Sequence, residues 1–185
     1  MGTNRIWKKG KGIIQTPEEV GTALFACSCK SISEDLENPE LHFLKSIRST
    51  TNANTFDVEL QITIMYAAMT AVMSNAISED KTYRILDSMN AEFIKFAANA
   101  TKTTDKELFR RYLTSRYKEY TVARQEKRGP NELWPLCHYM LKNLLGKETL
   151  DDDTQDAYLI TAITVYYSGQ LLFFNDLLKK IQIRS

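Results

Sequence analysis

The sequence predicts an all-α fold: a single-domain bundle of six or seven helices around two central apolar helices, at about residues 56–77 and 154–181. Three observations carry that reading. The stretches Leu60 to Ser78 and Ala157 to Asn175 hold no formally charged side chain, and a helix apolar over most of its circumference must be surrounded. Seven Gly and four Pro in 185 residues leave few breaks, which favours long helices over many short strands. Elsewhere, apolar residues recur at the three- and four-residue spacing of amphipathic helices.

The elements follow in order. Thr16-Pro17-Glu18-Glu19 supplies a cap, a proline at the first helical position and an acidic third residue, so a helix starts there and runs to about Lys30. Asn38-Pro39 opens a short second helix through Arg48, and the polar run Ser49 to Asn54 is a loop. The third helix carries a ladder of Thr63, Thr70 and Ser74, with Met65, Met69 and Met73 on another face. Ser78 opens a fourth helix with Leu86, Met89, Phe93 and Ala97 on one side. Thr104 with Glu107 starts a fifth that continues to about Arg128, where Gly129-Pro130 stops it. Asn131 opens a sixth, with Leu133, Leu136, Met140, Leu141 and Leu144 inward, and Gly146 ends it. The seventh, from Thr154 to Ile181, has its own ladder of Thr161, Thr164, Ser168, Asn175 and Lys179; its other directions, Leu171, Leu172, Phe173 and Phe174 among them, read as core. No sheet is expected.

Composition sets further bounds. An apolar fraction of 43% with 25% charged residues is that of a globular chain, and its length suits one domain. A net charge of +1 gives no global field toward nucleic acid or anionic lipid. Cys27, Cys29 and Cys137 are odd in number and without repeated spacing, as expected of reduced thiols in a cytoplasmic protein. Arg5, Lys8, Lys9 and Lys11 begin like a signal peptide, but Gln15, Pro17, Glu18 and Glu19 stand where its apolar region belongs. Residues 1–15 are therefore expected to be a basic, flexible arm, and residues 16–185 one helical domain. The last helix is long enough to span a bilayer, yet its Thr, Ser, Gln and Asn side chains favour a buried soluble helix, and no membrane partner is expected.

The candidate sites are few. Asp152-Asp153-Thr154-Gln155-Asp156 resembles the D-D-x-x-D motif of all-helical isoprenoid synthases. That resemblance implies Mg²⁺ and a pyrophosphate substrate. No second acidic cluster completes such a site, and the plainer reading of these aspartates is capping and dipole compensation at a helix start. On the fifth helix, Arg110, Tyr117, Arg124 and Arg128 share a stripe that suits a phosphate backbone, with Tyr117 available for stacking. Arg116 projects from the apolar side of that helix, where it either snorkels or meets a buried carboxylate such as Asp57, Glu59 or Glu92. The residues Met65, Met69, Met73, Tyr166 and Tyr167 are candidates to line a pocket for a small apolar ligand. Cys27 and Cys29 diverge around their helix, as do Cys137 and His138, so neither pair forms a metal site or a nucleophile–base pair. No catalytic residue, metal ligand or cofactor is identified. The leading expectation is a non-enzymatic helical protein that binds a protein partner, forms a homo-oligomer or takes up a small apolar ligand. A nucleic-acid or phosphate-binding role for the fifth helix and the arm is the alternative, and a Mg²⁺-dependent enzyme on Asp152 to Asp156 is third.

Overall fold

Caps and breakers in the sequence set where most helices begin and end. The computed structural model describes residues 13–101, 105–127, 129–150 and 154–184, and among them the chain forms seven α-helices and two three-residue strands. Helix α1 (Pro17–Glu37) starts at a full capping box: Glu19 N donates to Thr16 Oγ1 at 3.2 Å, and Thr16 N donates to the Glu19 carboxylate at 2.7 Å. It runs well past Lys30 because no Gly or Pro intervenes before Asn38-Pro39, where the residue ahead of the proline turns extended. A single 3₁₀ turn, Pro39–Leu41, leads into α2 (His42–Thr50). Asn52 caps α3 (Ala53–Ser74), accepting from Thr55 N at 3.1 Å.

Helix α4 spans Glu79–Thr101. Helix α5 (Lys106–Ala123) is capped by Asp105, which accepts from Leu108 N at 3.0 Å; Thr104, the expected cap, lies outside the described residues. It stops short of Arg128, ahead of Gly129 with its φ of +83°. Helix α6 (Trp134–Leu145) begins later than expected, after Asn131 Oδ1 has accepted from Leu133 N at 2.9 Å. It closes on Gly146, whose φ of +64° is the left-handed cap that glycine adopts without a Cβ penalty. Helix α7 is Thr154–Leu178.

The two long apolar helices pack against each other, but they are buried to different degrees. Helix α3 touches every other helix, and from Phe56 to Val72 its apolar residues are buried save the partly covered Val58 and Met69. Helix α7 lies parallel to it, since Thr70 pairs with Tyr167 and Asn75 with Asn175. Ile160, Ile163, Tyr166, Tyr167, Phe174, Leu177 and Leu178 form its inner face. Its outer half is not core: Leu172, expected inside, is 66% exposed. A run without charge specifies burial, and burial by a second molecule leaves the same mark in sequence as burial inside the chain.

The sequence also hid a small sheet. Strands β1 (Ile13–Gln15) and β2 (Ile181–Ile183) pair in parallel, Ile13 with Ile181 and Gln15 with Ile183. The end of the expected arm and the expected end of the last helix are thus strand; residues 1–12 lie outside the described residues. Three-residue strands far apart in sequence leave no local pattern to read.

Helices α1 and α4 also run parallel, joined by Arg84 to Glu18 at 2.7 Å and Thr22 to Ser88 at 3.2 Å. Gly21 sits where they come closest: a Cβ there would run into Ile85 O and lie 2.8 Å from Ser88 Cβ. Gly169 on α7 is the opposite case, with nothing within 4 Å of such a Cβ. The two helical glycines therefore predict opposite signs. Gly21→Ala is expected to destabilise by about 1–3 kcal/mol through overpacking. Gly169→Ala is expected to raise the stability of the isolated fold by up to about 1 kcal/mol through helix propensity. Urea unfolding of the two variants checks both.

Candidate functional site: the outer face of the last helix

Helix α7 keeps water-facing positions that an ordinary surface helix fills with charge. At 3.6 residues per turn, Tyr158, Thr161, Ala162, Val165, Gly169, Leu172, Phe173 and Asp176 fall within roughly 120° of arc. Tyr158 is 59% exposed, Val165 69%, Leu172 66% and Phe173 47%. No formal charge stands between Asp156 and Asp176, so only Thr161 interrupts the apolar character until Asp176 closes the stripe. The spacing alternates four and three from Tyr158 through Ala162, Val165, Gly169 and Leu172 to Asp176, which is the seam pattern of helices that pack side by side. Contiguous apolar surface of this kind marks an interaction site more often than a chance exposure.

The opposite half of α7 explains why that stripe faces out. Tyr166 donates to Asp35 at 2.7 Å, and Gln170 Nε2 reaches Asp35 at 3.0 Å and Ser31 at 2.9 Å, tying α7 to α1. Asn75 Nδ2 donates to Asn175 Oδ1 at 3.0 Å, tying it to α3. Thr161, Thr164 and Ser168 each donate to the carbonyl one turn back. The hydroxyls of the expected ladder are therefore spent on their own helix; on α3, Ser74 likewise donates to Thr70 O at 2.7 Å, while Thr70 meets α7, its hydroxyl 3.3 Å from that of Tyr167. These bonds set the rotation of α7 and leave the apolar stripe outward.

The residues singled out for an apolar ligand are scattered by the fold. Met65 is fully buried, Met69 partly so, and Met73 is 65% exposed. Tyr166 and Tyr167 point inward and are hydrogen-bonded as described, so the five do not line one pocket. An open cleft of about 400 Å³ lies elsewhere, between Asn75, Ile77, Lys81, Leu178 and Ile183. Lys81 crosses its wall to donate to Ile183 O at 3.0 Å, bracing β2 rather than offering a free charge.

The stripe on α5 is likewise divided. Arg110 is exposed but paired with Glu107 at 2.6 Å. Tyr117, expected at the surface for stacking, turns inward: its hydroxyl donates to Asn90 at 3.3 Å and its ring lies 5.8 Å from that of Tyr66. Arg124 leans back toward Thr70 at 3.4 Å, and Arg128 lies outside the described residues. Asp151, Asp152 and Asp153 lie outside them too, whereas Asp156 is buried in the first turn of α7. Among the described residues no three His, Cys, Asp or Glu side chains gather as a metal site.

Arg116 finds Glu59. The guanidinium donates to Glu59 Oε1 from both Nε, at 2.9 Å, and Nη2, at 2.7 Å, and Tyr112 donates its hydroxyl to the same oxygen. The network continues outward. Glu119 accepts from Arg116 at 3.2 Å, Lys142 at 3.0 Å and Asn143 at 2.9 Å, and Asn143 also donates to Tyr120 at 3.3 Å. Burial opposes the charge on Glu119, but the bonds from Asn143 and Lys142 outweigh it and hold the carboxyl below its usual range. With every strong donor spent on a carboxylate, this cluster is a structural joint between α3, α5 and α6. The thiols are quiet as well: burial pushes Cys29 and Cys137 each up to about 11, far from the thiolate that a nucleophile needs.

Burial, with the Glu59 charge beside it, pushes Tyr112 up to about 12, and burial does the same to Tyr167. An unfolded phenol ionises near pH 10, so the unfolded state releases these protons first. Their contribution to stability is whole below pH 10 and is lost as the pH climbs to about 12. Urea midpoints measured across that range should fall, and tyrosinate absorbance should rise together with unfolding. Removing one partner of the buried pair, as in Arg116→Met, is expected to cost about 3–5 kcal/mol, against less than ~1 kcal/mol for Arg110→Met at the surface; urea unfolding compares them.

Compared with known proteins, the chain matches no family model, no curated protein and no solved structure.

Proposed function

We propose that this is a non-enzymatic, cytoplasmic helical protein that acts by binding a protein partner through the outer face of α7. The observation that carries the reading is the exposed row of Tyr158, Val165, Leu172 and Phe173 on a helix whose inner face is already fully engaged. Fully burying an aromatic side chain removes roughly 150–250 Å² from water, so these four offer on the order of 400–500 Å² between them. That is the scale of the smaller specific interfaces, which bury less than about 1,200 Å² in total.

A lipid surface competes for the same face, because both Ala53–Ser74 and Thr154–Leu178 are long and apolar enough to cross a membrane. The protein reading is favoured on two grounds. The apolar window of α3 is 78% buried within the fold, so α3 serves as core. The polar flank of α7 is Thr161, Thr164, Ser168 and Asn175, with Lys179 and Lys180 only past its end, in place of the row of Lys and Arg that holds an interfacial helix to anionic headgroups.

The test uses Val165→Glu with Leu172→Glu, and Tyr83→Glu on α4 as an exposed control. Neither should change the unfolding free energy of the monomer by more than the ~0.5 kcal/mol typical of surface changes. Crosslinking in cells should trap the tagged chain with a specific protein, a second copy included. The paired α7 change should abolish that product and the control should keep it. A product indifferent to the α7 change would overturn the reading. So would a wild-type chain that floats with phosphatidylcholine–phosphatidylserine vesicles while the α7 variant does not.

A further inference from the structure

The outer stripe of α7 is complementary to itself. We infer that its partner is a second copy of the chain, bound through an antiparallel, two-fold α7–α7 pair centred at the level of residue 167. This rests on the docking reading above and names the occupant of that face.

The argument lies in which residues come opposite one another. In a two-fold antiparallel pair, positions equally far before and after the axis meet, and each contact occurs twice. With the axis at residue 167, Val165 faces Gly169 of the second copy, and Leu172 faces Ala162. Tyr158 faces Asp176, while Phe173 and Thr161 lie on opposite edges of the seam. Val165 and Leu172 thus each meet a small residue, and the phenol meets a carboxylate able to accept from it. Knobs and holes therefore match without any second sequence. In a parallel pair the same side chains would meet their own equivalents, Leu172 on Leu172 and Gly169 on Gly169, leaving bulk on bulk and gap on gap.

Two further features agree. Gly169 is exposed, and a Cβ there meets nothing within 4 Å of its own chain. The fold makes no use of that space, whereas an opposing Val165 fills it. Area agrees too, because two copies of the four exposed side chains Tyr158, Val165, Leu172 and Phe173 cover on the order of 800–1,000 Å², the scale of the smaller specific interfaces.

The experiment is sedimentation equilibrium of the purified full chain across a range of concentration, with melting curves alongside. Wild type is expected to reach twice the mass of one chain. Gly169→Leu, which fills the hole, should weaken the dimer by roughly tenfold or more, while melting measured on the dilute monomer is unchanged or raised. Ala162→Leu should weaken it likewise, and the double change Ala162→Leu with Leu172→Ala should restore it by exchanging knob for hole.

A wild type that stays monomeric at every concentration overturns the inference. A dimer indifferent to Gly169→Leu, or one that the double change fails to restore, does so as well. Failure here remains separate from failure of the docking reading. A monomeric chain whose crosslinked product in cells still depends on Val165 and Leu172 has a different protein partner. A chain with no such product has neither.

Discussion

A carboxylate buried in the central helix constrains the rest of the bundle. Glu59 is buried on α3, and a charge taken out of water at that depth must be met by a partner with good geometry. Arg116 and Tyr112 supply it from α5. Because they sit one turn apart, they fix both the rotation of α5 about α3 and its height along it. Arg116 then hands the requirement outward: Glu119 balances its other edge, and Lys142 with Asn143 on α6 balance Glu119. Apolar packing alone tolerates sliding between helices. A chain of charges linking three helices does not, and the Tyr117 and Tyr120 rings of α5, packed on Tyr66, inherit their positions from it.

On the α7 side the same role falls to hydrogen bonds without a full ion pair. Asp35 on α1 accepts from both Tyr166 and Gln170, and Thr70 on α3 and Asn75 at its C-cap engage Tyr167 and Asn175. The last helix is thus gripped from two sides along its polar and aromatic positions. Its exposed apolar face is the geometric remainder of that grip, held on a rigid element. Rigidity matters to recognition, because side chains already ordered lose less freedom when a partner covers them.

Much of the fold was legible in the sequence, and the misreadings have physical causes. The capping box at Thr16 and the helix end at Gly146 are local features readable from residue type and spacing, whereas for Arg116 the sequence left snorkelling and three carboxylates open and packing chose Glu59. The inward turn of Tyr117 was not, because an amphipathic tyrosine suits either side of a helix and only the neighbouring Tyr66 and Asn90 decide. The candidate site was half legible. The absence of charge from Ala157 to Asn175 was plain, but periodicity does not say whether a given apolar position faces its own core or another molecule. What identifies Val165 and Leu172 as surface is the depth of Tyr166, Tyr167 and Gln170 beside them, a fact of tertiary packing.

The parallel pairing of β1 and β2 carries a mechanical consequence. One strand leads into the first helix and the other leads out of the last, side by side and pointing the same way. A pull applied upstream of β1 and downstream of β2 therefore acts along the strands in opposite senses. It loads their slanted bonds together, in shear, instead of peeling them one at a time. Tension arriving through the flanking segments would meet this short clasp before it reached the helices.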